Sequence, residues 1–67
     1  MRKQLINASM QHYLAHIEKH RINVEVMLNN PTAIPEHSDI MEAIEKEVAY
    51  IAEYMDKLEV LEKYFKE

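Results

Sequence analysis

His12, His16 and His20 recur every four residues, so on a helix all three share one face. Two imidazoles one turn apart can chelate zinc or a similar ion, and His16 and His20 are the candidate metal pair. Glu47 is the carboxylate that a packed neighbouring helix would add. The richer metal patterns are absent. There is no H-E-x-x-H, and Glu18 is followed three residues later by Arg21, so the Glu-x-x-His pairing of di-iron bundles is missing as well. The plainer reading leaves His12 exposed and His16 beside a helix seam, with His20 hydrogen-bonded inside that seam. His20 would then act as the single polar residue that fixes register in a coiled coil. Its imidazole can also make association depend on pH.

Other chemistry has less support. Ser9, Thr32 and Ser38 are the only aliphatic hydroxyls, and no glycine is present to build a phosphate loop. The chain is expected not to be an enzyme and to carry no cofactor. Cysteine is absent, which excludes disulfides and thiolate metal sites and agrees with a reducing cytoplasm. No apolar run reaches the roughly 18 residues of a membrane span, and the N-terminus has no continuous apolar core of the kind a signal peptide needs.

Charge is unevenly spread over a net of −4. Through Asn30, Arg2, Lys3, Lys19 and Arg21 face Glu18 and Glu25, a surplus of two positive charges; the remainder holds ten acids against four lysines. A mildly basic helix beside an acidic one is self-complementary, within one chain or across a dimer. An acidic protein is a poor nucleic-acid binder, because neutralising phosphates dominates that affinity. A nucleic-acid-binding regulator using the basic strip, doubled in a dimer, is the alternative reading.

The positioning elements are two helices. Ile6, Met10, Tyr13, Ile17, His20, Val24 and Met27 repeat with steps of four and three. Met41, Ile44, Val48, Ile51, Met55 and Leu58 resume that rhythm after a break. A 3.5-residue repeat marks a helix seam packed on another helix. The spacing predicts one module over residues 1–67: a helix over about 3–29, a loop over about 30–35 and a helix over about 36–65. Pro31 ends the first helix by restricting Asn30. Pro35 suits the first turn of the second, and Ser38 is an alternative N-cap.

A loop this short makes the helices antiparallel neighbours. Pairing numbers that add to about 68 sets Met27 against Met41, Val24 against Ile44, His20 against Val48 and Ile17 against Ile51. Tyr13 then meets Met55, Met10 meets Leu58 and Ile6 meets Leu61. Every layer is apolar on both sides except that of His20. The seam leaves apolar surface over, and Leu14, Ile22, Val26, Leu28, Tyr50, Tyr54 and Phe65 are the candidate oligomer interface. The expected architecture is therefore an all-α hairpin that dimerises into a four-helix bundle.

The stretch NPTAIPEHSDIMEAIEKEVAYIAEYMDKLEVLEKYF, most specifically Pro31 through Asp39, resembles small helical proteins of marine tailed phages and environmental marine sequences. The resemblance covers the loop and the second helix. It implies an accessory protein made inside an infected bacterium that binds a host or viral protein, and it carries no activity with it.

Overall fold

A computed structural model describes residues 1–30 and 39–66. Two helices pack on each other: α1, Arg2–Asn29, and α2, Ile40–Tyr64. Neither contains glycine or proline, so nothing within them interrupts the backbone ladder. The predicted loop falls almost wholly on residues 31–38, outside the described residues, as do the expected helical starts at Pro35 and Ser38. Within the described residues α2 begins at Ile40, with Asp39 as its N-cap.

The ends follow from local chemistry. Asn30 leaves the helix at φ −141° and ψ 58°, outside the helical region that a following proline disfavours. Its N–H still reaches the Val26 carbonyl at 3.0 Å, and the Asn29 amide donates to the Glu25 carbonyl at 2.8 Å. At the other end of the hairpin, α2 closes with the Phe65 and Lys66 N–H groups both on the Leu61 carbonyl.

α1 opens with no acid in its first turn. Arg2 and Lys3 oppose their own helix dipole there. The antiparallel order supplies the compensation: Arg2 donates to the Phe65 carbonyl at 2.9 Å, at the negative end of α2. Glu42 and Lys63 complement the α2 dipole in the ordinary sense.

Cross-helix contacts join Tyr13 to Tyr54, His16 to Tyr54, His20 to Glu47 and Asn23 to Glu47. The two numbers in each pair add to 67 or 70, in line with the predicted register. The roll of α2 about its own axis differs from expectation. On α1 the half-buried row runs Ile6, Met10, Tyr13, Ile17, Val24 and Met27, with His20 buried. On α2 it runs Ile40, Ile44, Glu47, Ile51, Tyr54, Leu58 and Leu61. Ile44, Ile51, Leu58 and Leu61 take their expected places. Met41, Val48 and Met55 do not: they are 78%, 48% and 56% exposed. Glu47 stands against His20 where Val48 was expected, and Tyr54 stands against Tyr13 where Met55 was expected. The physical reason is the polar layer. His20 and Asn23 need an acceptor, Glu47 is one, and turning Val48 inward would leave them unpaired.

Neither helix is long and apolar enough to cross a membrane.

Candidate functional site

The most enclosed residue among those described is polar. His20, at 8% exposure, is the only buried residue, and no apolar side chain is buried to the same degree. It lies midway along the seam, where α1 and α2 bring three polar groups together. His20 Nδ1 lies 2.9 Å from Glu47 Oε2. Asn23, one turn further along the same face, donates its amide to Glu47 Oε1. A carboxylate can only accept, so His20 carries a proton on Nδ1.

Glu47 is held ionised. Desolvation pushes its pKa up, but the hydrogen bonds from Asn23 and His20, with the positive charge of His20 and Lys19, outweigh that and leave it below the usual carboxylate value. Both carboxylate oxygens are satisfied, which is the condition for a partly buried charge. Asn23 is the member that sequence reasoning missed. Its signal was its position three residues after His20.

Around this triad the aromatic rings form a ladder. His16 lies flat on Tyr54, with centroids 4.4 Å apart and planes 9° apart. His20 lies on Tyr50 at 4.6 Å and 17°. The two imidazoles are 6.2 Å apart and nearly parallel, and His12 meets His16 edge-on at 4.6 Å. Stacking of this kind adds specific geometry to plain burial. Lys57 sits over the Tyr54 ring, 4.8 Å from its centroid. Tyr54 is therefore a half-buried seam residue within the hairpin. Tyr50 stacks on the seam while remaining exposed.

His16 is held below its ordinary pKa, first by desolvation, then by the positive charge of His12, Lys19, His20 and Lys57. Its Nδ1 is buried without a hydrogen-bond partner. A proton placed there would have no acceptor, which opposes ionisation further.

The His16 and His20 imidazoles lie nearly parallel, 6.2 Å apart, and the Glu47 bond takes up His20 Nδ1, leaving Nε2 as the nitrogen a metal could use. Among the described residues no group of three or more potential ligands gathers around a common point. Equilibrium dialysis is expected to show no more zinc on the wild type than on His16→Ala; a stoichiometric excess on the wild type would establish the pair as a metal site.

The basic strip of α1 is partly consumed within the chain. Glu18 grips Arg21 through Nε, at 3.0 Å, and through Nη2. That contact lowers the Glu18 pKa and raises that of Arg21. Arg2 is engaged at the end of α2. Ser9 on α1 and the tyrosines have no adjacent base arranged to activate them among the hydrogen bonds of the described residues.

Of the candidate interface residues, Leu14, Ile22, Val26, Leu28, Tyr50 and Phe65 are exposed. They do not form one patch. Leu14 and Leu28 border one side of the seam, Ile22 lies on the back of α1, and Val26 and Tyr50 fall toward the side that carries the ring ladder.

No protein family, curated protein or solved structure matches the chain.

Proposed function

We propose that this protein is a non-enzymatic helical interaction module that works as a homodimer, two hairpins forming a four-helix bundle. The observation that carries this is the missing apolar core. Thirteen large apolar side chains are exposed among the described residues, while the only buried side chain is His20. A hairpin of two helices has one seam, and a short chain rarely gains enough from one seam to stand alone. A second hairpin converts an exposed apolar row into a core.

The polar layer supports the same reading. A partly buried, hydrogen-bonded His–Asn–Glu cluster contributes little net stability, and its best-attested use is to fix register. Register matters to a protein whose work is to present a defined surface. A host or viral protein is the further partner that such a surface would serve.

Sedimentation equilibrium at micromolar concentration tests the assembly. The expected mass is twice the 8.0 kDa of one chain. A mass that stays at 8.0 kDa throughout the micromolar range ends the proposal.

A further inference from the structure

The two sides of the seam are chemically different, and the difference selects the face that pairs. One side carries Ser9, His16 and Asn23 from α1 against Ala43, Tyr50 and Lys57 from α2. All six belong to the row flanking the seam, and the His20–Tyr50 stack and the polar triad close this side. The other side carries Leu14, Arg21 and Leu28 from α1 against Met41, Val48 and Met55 from α2. In the observed register Leu28 falls level with Met41, Arg21 with Val48 and Leu14 with Met55. This side is open: all five apolar residues are exposed. They form two parallel rows seven residues apart in sequence, with Arg21 as the single charge between them. The rows adjoin the half-buried Ile17, Val24, Ile44 and Ile51, so a docking helix would find a continuous apolar floor.

The size of the excess exposure indicates what covers this face. The chain exposes 5338 Å². A folded monomer of 8.0 kDa is expected to expose about 4,450 Å². The difference, roughly 900 Å², is close to the roughly 800 Å² that each partner contributes to a standard interface. Charge then selects the arrangement. Between Arg2 and Asn29, α1 has four basic and two acidic residues; between Ile40 and Tyr64, α2 has three basic and seven acidic residues. Stacking α1 on α1 and α2 on α2 would oppose like charges, whereas laying each α1 over the other copy's α2 pairs opposite ones.

The geometry points to a second copy of this chain seated on the Leu14–Leu28 and Met41–Val48–Met55 rows, each α1 lying over the partner's α2, about a two-fold axis parallel to the helices. This rests on the dimer proposed above and assigns its face. Arg21 of each copy then lies opposite Val48 of the other, one turn from Glu45. Its guanidinium can move from Glu18, an exposed pair that holds it weakly, to the carboxylate across the interface.

The test is sedimentation equilibrium on full-length variants, with helicity followed by circular dichroism. Val48→Glu, at the centre of the face, is expected to raise the dimer dissociation constant by at least about tenfold while helicity at high concentration persists. Met41→Glu, the most exposed position of the row, serves if Val48→Glu fails to fold. Ile22→Glu, on the back of α1, is expected to leave the constant unchanged. Arg21→Glu is expected to weaken the dimer, and Arg21→Glu with Glu45→Arg to restore it. A wild type that is monomeric overturns the dimer itself. A dimeric wild type that tolerates Val48→Glu and Met41→Glu but is dissociated by Ile22→Glu overturns only the face. Failure of the charge swap to rescue overturns only the arrangement of α1 over α2.

Discussion

Glu47→Ala is expected to lower the stability of the folded protein by about 2 kcal/mol, more than any other single removal of a polar side chain. The substitution deletes one acceptor and strands two donors, His20 Nδ1 and the Asn23 amide. An unsatisfied buried polar group costs about 1–3 kcal/mol. The His20 side chain is 10% exposed and Asn23 is half-buried, so water reaches both partly and the lower half of the combined range applies. For a domain of this size, about 2 kcal/mol corresponds to a drop of roughly 10 °C or more in melting temperature. The companion variant His20→Leu, Asn23→Leu and Glu47→Leu replaces all three members by apolar groups and removes the need for a partner. It is expected to melt at or above the wild-type temperature. Thermal denaturation followed by circular dichroism decides both. A Glu47→Ala melting temperature within about 2 °C of wild type would show that the triad is not structurally coupled.

Lowering the pH from 7.5 to 5 is expected to destabilise the protein, and His16→Phe to remove most of that dependence. The folded-state pKa of His16 lies below its ordinary value of about 6.5. The folded chain therefore binds fewer protons there than the unfolded chain. The stability held above about pH 6.5 is lost as the pH falls through the folded pKa. Glu47, also depressed, acts in the same direction at lower pH: its contribution is present above the ordinary carboxylate value of about 4.3 and declines as the pH drops through its folded pKa. The two groups thus act with the same sign, His16 from about pH 6.5 downward and Glu47 from about pH 4.3 downward. Phenylalanine at position 16 keeps a ring on Tyr54 but cannot titrate. Melting temperatures of wild type and His16→Phe at half-unit pH intervals read the difference. Parallel curves between pH 7.5 and 5 would refute the assignment of the upper window to His16.

The sequence made the hairpin, its antiparallel order and its register legible, because these depend only on where apolar residues recur and where prolines interrupt them. The roll of α2 was not legible, for a specific reason. Ile44, Ile51 and Leu58 form a row that belongs to two candidate seams, one completed by Met41, Val48 and Met55, the other by Ile40, Glu47 and Tyr54. Counting hydrophobic residues favours the first. The second is chosen because hydrogen bonding is a debt that must be met pairwise, and periodicity does not record pairs. His20 was visible as the discordant layer and Glu47 as its candidate acceptor. Asn23 was not, since a lone asparagine on a helix reads as a solvated residue until its neighbour across the seam is known. The interface residues scattered for the same reason: without the roll of α2, Met41, Val48 and Met55 were assigned to the interior and left out of the open side.

The reach of Arg2 to the Phe65 carbonyl places the first turn of one helix beside the last turn of the other. In the proposed dimer, with its axis along the helices, both hairpins point the same way, so all four of these helix ends meet at one pole and the Asn29 and Ile40 ends at the other. The assembly is then a directional object. Anything carried beyond residue 2 or residue 65 of either copy would leave from the same end, held in pairs at the spacing of neighbouring helices, roughly 10 Å. The far pole would present the end of each α1, at Asn29, beside the start of each α2, at Ile40. A dimer built with its axis across the helices would instead send its ends out in opposite directions and act as a spacer. The charge asymmetry between α1 and α2 thus decides whether the protein gathers what is attached to it or holds it apart.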